Sequence, residues 1–551
     1  MQELMSITVG ALLEQVAERF PNREAVAYTD RDYRRSWREF DDEVNRVAKG
    51  LMAHGIARGD KVAIWASNVP EWMLTLFACC KIGAVLVTVN TAYKEFEVEY
   101  LLRQSDSKLL VMIDGFKSNS YVETMGKLCK GLSCPGGRLS PMLPCLDEIV
   151  YAGAGSTPSG MTAWSTLLAD GAAVTEQQLA ARKASVDPQD VVNMQYTSGT
   201  TGFPKGVMLT HYNIVNNGKS IGDCMGFTEQ DKLCIVVPFF HCFGLVLGMM
   251  ACLTHATSMV PVDIYSPVKV MEAITSQHCT AVHGVPTMFI AMLEHAEFGN
   301  YDFSSLRTGI MAGSPCPIKV MQQVIDKMNM HEITITYGQT EASPATTMTS
   351  TEDSLELRVA TVGRHMPHVE TKIVDPETGD TLEPGQTGEF CSRGYNTMRG
   401  YYKMEEATRQ VIDKDGWLHS GDLATVDKNG YYKITGRIKD MIIRGGENIY
   451  PKEIEEFIYT LPQVQDVQVI GVPSKQYGEE VMACVILRQP GAMTEEELKT
   501  VVAGHLARHK VPKYVAFVEQ FPMTASGKIQ KYRLREWAVE QYGLGASEET
   551  A

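Results

Sequence analysis

Between residues 196 and 206 the chain reads Tyr196-Thr197-Ser198-Gly199-Thr200-Thr201-Gly202-Phe203-Pro204-Lys205-Gly206. An apolar-rich run, Val191-Val192-Asn193-Met194-Gln195, comes directly before it and reads as a buried strand. Hydroxyls, three glycines and a lysine crowd into one loop, and few structural needs explain that combination. Glycine lets backbone amides approach an anion closely, while the hydroxyls and the ammonium add donors. A phosphate is the guest this chemistry fits; the plain alternative is a Gly-Thr-rich surface loop. It is not a Walker A loop. Counted from Gly199, the second glycine of that pattern falls on Pro204, and Gly206 replaces the hydroxyl residue after the lysine. A P-loop hydrolase is therefore disfavoured.

The bulk properties narrow the partners. A chain of 551 residues holds three or four domain-sized units at ~150 residues each. With 44% apolar and 21% charged residues it is an ordinary globular composition. A net charge of -15 argues against nucleic acid as the main partner, because phosphate backbones demand basic surface. The 13 scattered cysteines fit reduced thiols in a cytoplasmic protein better than a disulfide framework. Only Cys129, Cys134 and Cys145 cluster, and they lack a nearby fourth metal ligand. No secretory signal is evident at the N-terminus. Residues 234–262 contain no Asp, Glu, Lys or Arg, but Pro238, His241, Gly244, His255 and Pro261 interrupt them. A buried core segment fits better than a membrane span.

Along the chain, a helix from Thr8 carries Leu12, Leu13, Val16 and Phe20 on one face, and Ser36 caps a second with Phe40, Val44, Val47 and Leu51. Strand 61–65, helix 71–82 and strand 84–89 then follow in the rhythm of right-handed crossovers and a parallel sheet. A helix is expected near 164–168. The alternation resumes with strand 308–311, an amphipathic helix 317–328 and strand 333–337. Tyr337-Gly338-Gln339-Thr340-Glu341 thereby sits at a strand's C-terminal end, where open α/β sheets bind ligands. From about residue 360, short β-like runs at 371–374 and 389–392 read as a small antiparallel barrel or sheet. A last shift near 437–440 opens a separate α+β unit.

Several further stretches complete a pattern. In order they are Pro238-Phe239-Phe240-His241-Cys242-Phe243-Gly244, the run Thr336 to Glu341, and Gly388-Glu389 through Arg399-Gly400-Tyr401-Tyr402. Then come Trp417-Leu418-His419-Ser420-Gly421-Asp422, Gly436-Arg437-Ile438-Lys439-Asp440 and Pro522-Met523-Thr524-Ala525-Ser526-Gly527-Lys528-Ile529. Together with the phosphate loop, and in this order, they resemble the adenylate-forming superfamily of acyl-CoA synthetases, adenylation domains and firefly-type luciferases, over essentially the whole chain. The resemblance implies an α/β fold: a large N-terminal domain of α/β sheets with a small β-barrel subdomain (1–438), then a mobile α+β C-terminal domain (439–551). It implies ATP, Mg2+ and CoA as cofactor and co-substrates, and activation of a carboxylic acid to acyl-AMP.

The same resemblance assigns roles. ATP or AMP would meet Thr197, Ser198, Gly199, Thr200, Thr201, Gly202, Lys205, Gly313, Ser314, Tyr337, Gly338, Thr340, Asp422, Ile434 and Arg437. Metal would sit on Thr197 and Glu341. Lys528 would bridge the carboxylate and α-phosphate oxygens, Lys439 would be the hinge, and Gly445, Gly446 and Glu447 would border CoA. Phe240, Val285, Met288, Met311 and Gly338 would line the acyl pocket.

The residue types make sense of these roles. Mg2+ needs hard oxygens and keeps several waters, so one carboxylate such as Glu341 suffices beside the nucleotide's phosphates; a solvated loop acid is the plainer reading. Asp422 offers two acceptors to a ribose diol, with Arg437 beside it. Tyr337 can stack on adenine or simply pack in the core. His241 either gates the acyl tunnel, meets the carboxylate, or is a satisfied core histidine.

Near residues 238–247 no acid stands ready to pair with an amino-acid substrate, which disfavours an amino-acid adenylation domain. Met249, Met250, Met288 and Met311 suggest an adaptable apolar pocket, or merely a Met-rich core, given 29 Met overall. The expected activity is that of a medium- to long-chain fatty acyl-CoA synthetase. An aryl or cinnamate-type CoA ligase, a fatty acyl-AMP ligase and a nucleotide-binding pseudoenzyme are the alternatives. The resemblance allows a homodimer and peripheral membrane contact, with no transmembrane segment.

Overall fold

The computed structural model describes residues 3–130, 139–197, 204–313, 316, 318–444, 447–474, 476–506, 508–524 and 529–544. Two large sheets form the N-terminal part. The first runs in the order Gly400–Tyr401, Lys205–Thr210, Val191–Thr197, Val85–Thr88, Lys61–Trp65, Ser107–Met112, Glu148–Tyr151, Thr162–Ala163. From Val191–Thr197 onward its neighbours are parallel, as the crossover rhythm predicts, and its first two pairings are antiparallel. The second sheet runs Glu332–Thr334, Thr308–Ile310, Ala281–His283, Lys232–Ile235, Ser258–Pro261, Glu24–Ala27, Arg34–Ser36, and is parallel up to its last pair.

Local chemistry explains the helices between them. Thr8 accepts the Ala11 N–H to open Val9–Arg19, and Ser36 with Glu39 closes a capping box on Trp37–Ala53. Helix Pro70–Ile82 is apolar nearly all round and is buried on all sides, as such a helix must be. Its one buried cation, Lys81, is held by Asp41 (2.6 Å), Asn45 (2.7 Å) and Glu14 (3.1 Å). These helices and both sheets share one continuous core.

The uncharged run 234–262 is core, not membrane. It folds as the end of strand Lys232–Ile235, a π-helix Phe243–Met250, helix Ala251–His255 and strand Ser258–Pro261. Among the described residues no helix is long and apolar enough to cross a membrane.

One expected strand is two. Residues 333–337 split into Glu332–Thr334, in the parallel sheet, and Thr336–Gly338, which opens a three-stranded antiparallel sheet with Ala345–Met348 and Arg364–His365. The break falls at Ile335. Its N–H donates to the Thr349 hydroxyl and its carbonyl accepts the Thr349 N–H, both at 2.9 Å, so it pairs away from the parallel neighbour. The later β-rich part is a four-stranded antiparallel sheet, Val369–Val374, Gly388–Gly394, Leu418–Val426, Tyr432–Arg437: of the two expected forms, the sheet. After it, Ile442–Arg444 begins a five-stranded sheet packed with helices Pro451–Tyr459, Glu495–Ala503 and Lys531–Gln541 around its own two cores. The result is a large α/β N-terminal domain with a β-rich subdomain and a small α+β C-terminal domain.

His283 ties the second sheet to the π-helix. Its Nε2 donates to the Leu247 carbonyl and its Nδ1 accepts the Ile310 N–H, both at 3.1 Å, a pattern only the neutral ring can make. Burial pushes its pKa down to about 4. The unfolded chain therefore takes up this proton first. Stability from this group is complete above pH ~6.5 and falls as the pH drops toward about 4, by about 3 kcal/mol in all. Denaturant titrations near neutrality and near pH ~4.5 are expected to show a smaller acid loss in His283→Gln than in the parent; an unchanged difference would refute the assignment.

Candidate active site

The phosphate loop is the tip of a β-hairpin. Strands Val191–Thr197 and Lys205–Thr210 pair antiparallel, with Thr197 opposite Lys205 at the neck. Ser198, Gly199, Thr200, Thr201 and Gly202 lie outside the described residues. The neck is braced from below: Tyr196 donates to the Gln104 side chain, whose amide donates to the Tyr402 carbonyl at 2.7 Å. Tyr402 N–H in turn donates to the Gly206 carbonyl at 2.8 Å.

This pairing brings in a residue that the sequence reading placed in a motif without a role. Tyr401 pairs with Val207 across the sheet edge, and its ring lies 4.9 Å below the Lys205 ammonium. Its hydroxyl donates to Glu341 Oε1 at 2.8 Å, and Met398 N–H donates to the Glu341 carbonyl at 2.9 Å. Burial, then the Glu341 charge, push the Tyr401 phenol well up, so it stays a donor. Lys205, Tyr401 and Glu341 thus form one chain of contacts. Glu341 offers the hard carboxylate oxygen that a magnesium ion takes. Thr197, at the hairpin neck, is the second expected metal contact.

A second cluster gathers Tyr337, Asp422 and Arg437. Asp422 is buried, facing Arg437 in cross-strand register. Arg437 Nε forms a salt bridge to Oδ1 at 3.0 Å, and the Tyr337 hydroxyl donates to Oδ2 at 2.7 Å. The Asp422 charge holds the Arg437 guanidinium pKa up. Tyr337 was expected to stack on adenine or pack in the core. Its ring meets Phe390 edge-on at 5.2 Å and its hydroxyl is spent on Asp422. Ile434, like Tyr337, packs against the small core of Ile373, Phe390, Ala424 and Tyr432, and its carbonyl accepts Lys452 Nζ from the C-terminal domain at 2.8 Å. Burial pushes the Lys452 pKa down.

The expected acyl-pocket residues collect at the C-terminal ends of the second sheet's parallel strands. Phe240 follows Lys232–Ile235, Val285 and Met288 follow Ala281–His283, and Met311 with Gly313 follows Thr308–Ile310. Met311 bridges Gly284, and a Cβ on Gly313 would lie 3.1 Å from Val285. Ser314 lies outside the described residues. His241 Nδ1 accepts the Phe243 N–H at 3.1 Å. Cys242 Sγ stands 3.7 Å from both His241 Nδ1 and the Thr340 hydroxyl, linking this turn to the Thr340-Glu341 segment.

Gly338 has a structural reason of its own. A Cβ there would sit 1.8 Å from the Pro344 carbonyl oxygen, which is main chain and cannot swing aside. Gly338→Ala is expected to destabilise the protein by at least about 1–3 kcal/mol, read as a lowered Tm; an unchanged Tm would refute the close approach.

Lys439 lies in the turn between Arg437 and Ile442, where Asp440 and Met441 N–H groups close on the Arg437 carbonyl. Gly445 and Gly446 lie outside the described residues, and the Glu447 main chain pairs with Arg444. Lys528 also lies outside them, but a bridge between Met523 and Ile529 pins the neck of its loop.

Comparison with known proteins places the chain in a family. Residues 13–402 match the AMP-binding enzyme family, and residues 453–528 match the AMP-binding enzyme C-terminal domain. The chain is 52% identical over the whole of both chains to a Bacillus subtilis (strain 168) protein whose provisional name is acyl-CoA synthetase YngI. It is 42% identical to the mitochondrial medium-chain acyl-CoA ligase ACSF2 of Danio rerio, over 98% of this chain and 90% of that one. Among solved structures, the anthranilate CoA ligase AuaEII in complex with anthranoyl-AMP superposes with a TM-score of 0.86 at 26% identity, covering 98% of this chain and 99% of that one. By these matches the chain belongs to the AMP-binding enzyme family of adenylate-forming enzymes.

Proposed function

We propose that this AMP-forming acyl-CoA ligase activates medium-chain fatty acids. The observation that carries the chemistry is that two clusters, Lys205–Tyr401–Glu341 and Tyr337–Asp422–Arg437, each gather side chains from segments far apart in sequence. The chain length rests on the relatives named medium-chain acyl-CoA ligases and on the apolar residues at the strand ends.

In the first half-reaction a carboxylate oxygen bonds to the α-phosphorus of ATP as the bond to pyrophosphate breaks. Lys205 and the hairpin hold the β- and γ-phosphates, so that the α-phosphorus faces the acid. Asp422 and Arg437 fix the ribose, with Tyr337 locking the Asp422 carboxylate in place. Mg2+, held by Glu341 and Thr197, would supply charge neutralisation between the anions. Lys528 donates to the oxygens that gain charge in the transition state. In the second half-reaction the CoA sulfur attacks the acyl carbon and AMP leaves, with Gly445, Gly446 and Glu447 bordering the thiol. His241 stands at the acyl side.

The two half-reactions need different partners from the small domain, and rotation about Lys439 exchanges them. We place the domain boundary there, between 438 and 439. Lys439→Pro, which removes an N–H and restricts the preceding residue, is expected to keep one half-reaction and lose the other; equal loss of both would refute the hinge. The twelve cysteines of the described residues are free thiols, which supports a reducing, cytoplasmic-type compartment.

The test is ATP-dependent pyrophosphate release, with and without CoA, across butyrate, octanoate, decanoate, palmitate, benzoate and cinnamate. Octanoate and decanoate are expected to give the highest kcat/KM and to need CoA for turnover. Preference for benzoate or cinnamate would replace the fatty-acid reading. CoA-independent release at full rate would point to an acyl-AMP ligase, and no release with any acid would point to a pseudoenzyme.

A further inference from the structure

On the β-rich subdomain, adjacent strands present a glutamate, a cysteine and a histidine to one another. Cys391 and His419 are cross-strand partners, and a register shift between Glu389 and Cys391 brings the carboxylate to the same place. His419 Nδ1 lies 3.4 Å from Cys391 Sγ and 2.8 Å from Glu389 Oε2, and all three ligand atoms lie within 4.8 Å of one another. Zinc bonds of about 2.3 Å to sulfur and about 2.0 Å to nitrogen or oxygen give ligand-to-ligand edges of roughly 3.3–3.6 Å in a tetrahedron. The two separations from His419 Nδ1, 3.4 Å and 2.8 Å, lie close to or somewhat inside those edges.

The surroundings are those of a metal site. The other Glu389 oxygen accepts the Gly421 N–H at 2.9 Å, which orients Oε2 toward the cluster. On the far side of the imidazole, Asp413 Oδ2 stands 3.6 Å from Nε2. That aspartate is itself fixed, because Oδ1 accepts the Asp415 and Trp417 N–H groups, both at 2.9 Å. Carboxylate, imidazole and metal in line are the usual support of a histidine ligand. The thiol is fully buried while the His419 side chain keeps 30% of its surface exposed, so a cation can reach the cluster from the solvent side. Lys372, opposite Cys391, is turned onto the Trp417 ring with its Nζ 4.3 Å from the centroid, beside the cluster. The thiol and carboxylate otherwise hold a proton on the ring, pushing the His419 pKa up to about 10.

We propose that Glu389, Cys391 and His419 form a binding site for a thiophilic divalent cation of the zinc class, separate from the magnesium contacts at Glu341 and Thr197. One thiolate and one carboxylate neutralise the divalent charge, the imidazole completes a three-residue set, and water takes the fourth position. Binding releases the Cys391 thiol proton and the proton on His419 Nδ1 to solvent. The bound cation would clamp strands Gly388–Gly394 and Leu418–Val426 three residues from Asp422.

The test uses the full chain, stripped of metal and titrated with Zn2+ by equilibrium dialysis and with Co2+ by absorption. One equivalent is expected, with a thiolate-to-cobalt charge-transfer band. Cys391→Ser is expected to abolish the band, and His419→Gln to weaken binding at least tenfold. Asp413→Asn, on the exposed turn and away from the packed thiol, is expected to weaken it about 10- to 100-fold. Cys145→Ser, at an exposed thiol elsewhere, is expected to change nothing. A missing band, or zinc affinity unchanged across Cys391→Ser, His419→Gln and Asp413→Asn, would overturn the site.

Discussion

Lys528→Ala is expected to slow acyl-adenylate formation by about 10²–10³-fold, the usual cost of removing one donor from developing oxyanion charge. Thioester formation from preformed acyl-AMP should change only a few-fold, because that step no longer involves pyrophosphate departure. Local structure makes the variant interpretable. The loop is pinned at its neck by the Met523–Ile529 bridge and anchored beyond it by Lys531, which donates to Glu455 at 2.6 Å and to the Val469 carbonyl at 3.0 Å. Truncating Lys528 leaves those contacts untouched. Lys531→Ala is the contrasting control: it strands Glu455, which is buried and also accepts the Val469 N–H, and should lower stability and both half-reactions together. Pyrophosphate release and acyl-CoA formation, measured separately, decide the matter. Equal loss of both steps in Lys528→Ala would refute the assigned role.

Asp422→Ala is expected to raise KM for ATP and lower kcat/KM for ATP roughly 10- to 100-fold, since hydrogen bonds to a charged group contribute about 1.5–3 kcal/mol. KM for the fatty acid should stay within a few-fold. Tyr337→Phe removes one of the two groups holding that carboxylate while keeping the ring against Phe390. Its loss should be smaller, and it should largely vanish in the Asp422→Ala background, because the two residues act through one contact. An effect of Asp422→Ala confined to the fatty-acid KM would place the carboxylate in the wrong subsite.

Much of this site could be read along the chain. The hydroxyl- and glycine-rich loop after an apolar strand reads as a phosphate cradle without any fold, because anion binding needs those groups within a few residues of one another, and the strand before it is found. Thr8 and Ser36 marked helix starts for the same reason: a cap acts over three residues. Strand 333–337 misled because its break depends on Thr349, whose hydroxyl claims Ile335 from fourteen residues away.

Three matters were decided by the tertiary structure alone. Tyr401 was visible within a motif, but its contact with Lys205 and Glu341 exists only because strand Gly400–Tyr401 joins the edge of the hairpin's sheet. Gly338 was read as a pocket residue, while the folded hairpin shows that its glycine is imposed by the Pro344 carbonyl. The Glu389–Cys391–His419 cluster has no metal-ligand spacing in sequence and arises from cross-strand register. The sequence by itself determined the order of the motifs that mark the family, together with the local caps and strand–helix rhythm that need only a short window. Chemistry needing groups from distant strands was left to the fold, because register and strand order, which no short window encodes, set which side chains meet.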